Sequence, residues 1–130
     1  MNVLPIVFVL AVLAAALHTY IWYLESIAWT TPTARKVFGT SPAEAEATKF
    51  LAYNQGFYNL FLAVLIVAGL IAYAVDAPVV GLTLVIAGCG SMLAAALVLG
   101  LSSPAHRPAA LRQGALPAAA LVAAVAHLAG

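Results

Sequence analysis

Long apolar runs broken by short polar or proline-containing stretches dominate this chain. Four of them, at about residues 3–29, 50–75, 79–101 and 109–128, reach the ~20 residues that a helix needs to cross the hydrocarbon core of a bilayer. The breaks contain the residues that end and restart helices. Thr31 and Pro32 stop the first run, whereas Ser41, Pro42 and Glu44 read as an N-cap, a first-turn proline and an acidic first turn. The second helix is therefore expected to start near Pro42, with a wet amphipathic turn ahead of the membrane. Asp76, Ala77 and Pro78 make a tight turn, and Ser102, Ser103, Pro104 and Pro108 separate the last two runs. The pattern predicts an all-α fold: a polytopic integral membrane protein whose single domain, residues 1–130, is a four-helix transmembrane bundle.

Composition strengthens this expectation. With 65% hydrophobic residues, 7% charged residues and a mean hydropathy of +1.09, the chain is far from soluble domains, which carry about 25% charged residues. A water-soluble fold of this size could not hide so much apolar surface, so the lipid bilayer is the expected solvent and first partner. A net charge of +1 provides no basic field for nucleic acid. The single cysteine, Cys89, lies in an apolar run beside Gly88, Gly90 and Ser91 and reads as a packing residue without a second thiol for a disulfide or metal site. Ala14, Ala15 and Ala16 resemble a signal cleavage site, but residues 1–5 carry no Lys or Arg and the apolar run continues through Tyr23, so helix 1 is expected to stay.

Charge placement predicts the topology. Arg35, Lys36 and Lys49 fall in the first connection, and Arg107 and Arg112 in or beside the third, so all five cations share one side. The excess of Lys and Arg in cytoplasmic loops then puts both termini outside the cytoplasm, in a multi-pass protein of the inner (plasma) membrane.

Counting inward at ~1.5 Å per residue places His18 near mid-membrane and Glu25 toward the cytoplasmic end of span 1. Asn54, Gln55 and Asn59 occupy the first turns of span 2, and Gln113 opens span 4. The polar side chains thus gather in one half of the bilayer, while the other half is almost purely Ala, Val, Leu and Gly. On span 1, His18, Trp22, Glu25 and Trp29 recur at offsets that stack them on one helical face, and Asn54 with Tyr58 and Gln55 with Asn59 repeat the arrangement on span 2. A face carrying His and Glu costs a few kcal/mol against lipid, so it is expected to look into the bundle.

Each feature also has a plainer explanation. The amides of Asn54, Gln55, Asn59 and Gln113 serve equally as interhelical glue. Trp29 and the neighbouring tyrosines fit an interfacial aromatic belt, and Glu25 at the hydrocarbon edge has Arg35 or Lys36 as alternative partners. Small residues in spans 3 and 4, namely Gly81, Ala87, Ser91 and Ala95, then Gly114 and Ala118, suit close packing within one bundle or between copies in a homo-oligomer.

The segments HTYIWYLESIAW from His18, TTPTARKVFG after it, NQGFYNLFLA from Asn54 and RQGALPA from Arg112 resemble the domain of unknown function 1304 family, small four-span membrane proteins of bacteria and fungi. The resemblance covers essentially the whole chain. In the family pattern an acidic residue often directly precedes the first-span histidine, whereas this chain has Leu17. The resemblance implies four spans and marks the same polar residues, but implies no activity.

Three functions compete. The first is a site for a small lipophilic molecule in the cytoplasmic half of the bundle. There His18 and Glu25 would be the catalytic proton carriers, and Tyr20, Trp22, Asn54, Gln55, Tyr58, Asn59 and Gln113 would bind the ligand. If enzymatic, it would be an isomerase or cyclase, because the chain offers no convincing metal or cofactor site beyond a haem held by His18 alone. The second is a structural or partner-binding oligomer built on spans 3 and 4. The third is a small proton-coupled exporter of lipophilic cations using Glu25 and Trp22, against which the one-sided distribution of cations argues.

Overall fold

The computed structural model describes residues 2–130. Its regular elements are all helical. Helix α1 spans Leu4–Trp22 and runs directly into a wider π-helical turn, Tyr23–Ile27. A short helix α2, Pro32–Phe38, lies in the first connection; α3 spans Pro42–Ala74, α4 Pro78–Ser102 and α5 Arg107–Ala129. The first run with its π turn, α3, α4 and the final stretch Pro104–Ala129 are each long and apolar enough to cross a membrane.

The capping residues act as their types suggest. Ser41 Oγ accepts from the Glu44 backbone N–H while the Glu44 carboxylate accepts from the Ser41 N–H, a reciprocal cap that starts α3 at Pro42. The helix then continues without a break through 33 residues, so its first two turns lie ahead of the apolar stretch expected from residue 50. Thr31 does more than stop the first run: its Oγ1 accepts from the Ala34 N–H and caps α2, which ends at Gly39 in the left-handed conformation (φ +68°). Between α3 and α4, Asp76 adopts φ +63°, and that left-handed residue lets the chain reverse before Pro78.

Helices α1, α3, α4 and α5 form a ring in which α1 touches α3 and α5, α4 touches α3 and α5, and α1 and α4 barely meet. Small side chains fill the centre. Ala11, Ala14, Ala63, Ala120 and Ala124 surround Val7, Ile66, Val85 and Met92, with Cys89 fully buried among them. Near the α3–α4 turn the backbones are so close that a Cβ on Gly81 would lie 2.7 Å from the Gly69 carbonyl oxygen, and one on Gly88 would lie 2.7 Å from Ile66 Cγ1. Gly114 of α5 faces Ala96 in the same way, at 2.9 Å for an added Cβ. Gly81 and Gly114 are thus consumed inside one bundle, while Ala87, Ser91 and Ala95 lie on its exposed side. Phe8 of α1 meets Tyr73 of α3 edge-on at 4.8 Å and fixes the opposite end of that pair.

Candidate polar site between the first and third helices

Among the described residues two polar ones are buried in the bundle, His18 (2% exposed) and Glu25 (8%), both on the first run. Their depth follows from helix geometry. His18 lies about 21 Å, and Glu25 about 31 Å, from the Leu4 end, so roughly 10 Å of helix axis separates them, with Trp22 between. The face carrying these residues does look into the bundle.

The π-helical turn gives Glu25 its setting. The Ala28 N–H reaches back five residues to the Tyr23 carbonyl (2.9 Å), which widens the helix. Ser26 Oγ donates to the Tyr53 carbonyl of α3 (2.8 Å), tying the turn to its neighbour. Gly56 permits that approach, since a Cβ there would overlap Ser26 Oγ and come within 3.0 Å of Glu25 Cβ. One turn further along α3, Asn59 Nδ2 donates to Glu25 Oε2 at 2.9 Å. Glu25 therefore pairs with an amide from the facing helix, not with the first-connection cations Arg35 and Lys36.

His18 Nδ1 lies 3.0 Å from the Ala14 carbonyl oxygen. A carbonyl only accepts, so Nδ1 carries a proton, and in its neutral form the ring would present the Nε2 lone pair. Trp22 packs edge-on against Phe57 at 5.9 Å, and its Nε1 is buried without a hydrogen-bond partner. Such an indole N–H is an unused donor, carried by a residue that lies between His18 and Glu25 along the first run. Trp29, on the same face, donates from Nε1 to Thr48 Oγ1 (3.1 Å) and packs on Phe38, so it braces the first connection.

The other residues expected at a site are not gathered there. The inward stripe of α3 is Ala52, Gly56, Asn59 and Ala63, which carries one amide. Asn54, Gln55 and Tyr58 fall on other faces and are exposed, as is Tyr20, which stacks on Tyr23 at 6.3 Å. Gln113 is half-buried at the start of α5. The residues that sequence reasoning passed over are Ser26 and Gly56. The signal for Gly56 was present in the NQGFYN segment, a glycine three residues before an asparagine on a helix facing Glu25.

Two open grooves mark the bundle surface. One, of about 420 Å³, is lined by Ser26, Glu46, Ala47, Lys49, Phe50 and Tyr53 and so reaches the residue next to Glu25. The other, of about 410 Å³, runs between α4 and α5. Neither groove is lined by His18, Trp22, Glu25 or Asn59 themselves. Among the described residues no group of three or more His, Cys, Asp or Glu side chains is arranged to hold a metal ion.

A family profile described as protein of unknown function (DUF1304) matches residues 12–125, a stretch that includes every residue of the polar site. No curated protein and no solved structure matches the chain.

Proposed function

This chain belongs to the DUF1304 family of proteins of unknown function, and we propose that it is a multi-pass membrane protein that binds a small lipophilic molecule at the His18–Trp22–Glu25 face. One observation carries the proposal: Trp22, whose buried indole N–H has no hydrogen-bond partner, lies along the first run between a buried histidine and a buried carboxyl group that pairs with Asn59. In hydrocarbon a histidine and a carboxyl group are costly to keep, and an unsatisfied donor adds to that cost. A ligand oxygen accepting from the Trp22 N–H would relieve it.

The membrane is the inner (plasma) membrane, with the cation-bearing connections in the cytoplasm and both termini outside. The ligand is apolar with one carbonyl, hydroxyl or ether oxygen; the groove that reaches Ser26, the residue next to Glu25, is the nearest described approach, and entry from it requires the Ser26–Tyr53 contact to open. In its neutral form His18 would offer the Nε2 lone pair as proton acceptor, and Glu25 is the proton-exchanging group, with Asn59 orienting the carboxyl. Moving a proton between two positions of one molecule requires nothing further, so isomerisation or cyclisation is the reaction class that fits.

The test is mass spectrometry of organic extracts from the purified wild type and from the Trp22→Phe, His18→Phe and Glu25→Gln variants. The proposal expects a molecule enriched in the wild type and depleted in all three variants while circular dichroism shows an intact bundle. Identical extracts from four folded proteins would leave a scaffold role for the polar residues.

A further inference from the structure

The groove between α4 and α5 is a different place from the polar site. Its walls are Leu93, Leu97, Leu101, Leu111 and the small residues of the two helices, and the charged group on its lining is Arg107. It exists because small residues meet there: an added Cβ on Gly100 would lie 3.3 Å from Ala110 Cβ, and one on Gly114 would lie 2.9 Å from Ala96 Cβ. The helices touch at the floor, and nothing large fills the space above it.

Arg107 is held at one end of this groove. Its Nε donates to the Gly100 carbonyl at 3.1 Å, which fixes the guanidinium and leaves its terminal amino groups free to face outward. Gly100 lies about 33 Å along α4 from Pro78, close to the ~30 Å thickness of a hydrocarbon core, so the guanidinium sits at headgroup level. From that level the lining descends along the helices, about 10 Å to Leu93 and about 16 Å to Ala118.

We propose that this groove is a binding site for an anionic glycerophospholipid, whose acyl chain lies along α4 and α5 and whose phosphate pairs with Arg107. The occupant follows from charge. An apolar trough with one immobilised cation at its headgroup end matches a molecule with an apolar chain and an anionic head. A second copy packed through the same two helices would bring its own Arg107 and no anion, since α4 and α5 carry no Asp or Glu, and covering the guanidinium with an apolar helix would leave a buried charge unpaired. The inference rests on the membrane placement proposed above but not on the ligand of the first helix.

Native mass spectrometry of the full-length protein, released from vesicles of equal phosphatidylglycerol and phosphatidylcholine, tests it. The wild type should retain phosphatidylglycerol over phosphatidylcholine by about fivefold or more. Arg107→Gln should erase that preference and Arg107→Lys should keep part of it. Ala115→Trp, which fills the groove from its exposed side, should remove both lipids. Equal retention of the two lipids by the wild type, or an unchanged preference in Arg107→Gln, would overturn the proposal, as would a dimer that Ala115→Trp dissociates. A protein that stays dispersed without detergent or lipid would instead contradict the membrane placement itself.

Discussion

Asn59 of α3 donates a 2.9 Å hydrogen bond to the carboxyl of Glu25, which sits in the π-helical turn that closes the first run. The two side chains come from helices separated by the whole first connection, and Gly56 of α3 lies close against the Glu25 side chain. Removing one partner strands the other. Asn59→Leu should therefore destabilise the bundle by about 1–3 kcal/mol, whereas Glu25→Met with Asn59→Leu should recover most of that loss, because no unpaired group remains. Equilibrium unfolding in mixed micelles, run as a double-mutant cycle, measures both.

Gly56 tests the π turn. A methyl group at this position would overlap Ser26 Oγ, so Gly56→Ala should cost about 1–3 kcal/mol in the same assay. Adding Ser26→Gly should restore part of the loss. An unaltered unfolding midpoint in Gly56→Ala would mean that α1 and α3 stand further apart than described.

A matched pair of glycines in α4 gives a second packing test. An added Cβ on Gly81 would meet the Gly69 carbonyl and the Tyr73 backbone, both at 2.7 Å, whereas one on Gly90 would meet nothing within 4 Å. Gly81→Ala should be strongly destabilising. Gly90→Ala should be neutral or stabilising by up to about 1 kcal/mol, the ordinary helix preference of alanine over glycine.

Topology is tested by cysteine labelling. Cys89 is fully buried and should not react with a membrane-impermeant maleimide. In a Cys89→Ala background, Thr33→Cys and Ala105→Cys should label from the cytoplasmic side and Asp76→Cys from the opposite side. Labelling of Asp76→Cys and Thr33→Cys from the same side would contradict the antiparallel arrangement.

The parts of this structure that the sequence announced are those where one residue type admits one outcome. Ser41, Pro42 and Glu44 specify a helix start, and apolar length specifies the four long helices. His18 and Glu25 pointed inward for a related reason, since ionisable groups avoid hydrocarbon wherever the bundle offers an interior. Amides bind less decisively. Asn54, Gln55 and Asn59 look alike in sequence, yet Asn59 alone shares a face with Ala52, Gly56 and Ala63. That face is chosen by where backbones can approach, not by hydrophobicity, because both sides of each helix are apolar. Phe50, Val79, Leu101 and Val122 are exposed, as a lipid-facing surface allows. Helix α2 and the π turn were not legible because each depends on local backbone hydrogen bonds, Thr31 capping Ala34 and Ala28 reaching Tyr23, within segments that also read as a simple stop.

The most direct measurement is the separation of the Glu25 side-chain carboxyl carbon from the Asn59 amide nitrogen in lipid bilayers, by solid-state NMR dipolar recoupling on selectively labelled protein. A polar pair joined across the helix interface predicts about 4 Å or less, the separation a hydrogen bond imposes. A separation beyond about 6 Å would contradict the pairing and, with it, the polar site on which the proposed function stands.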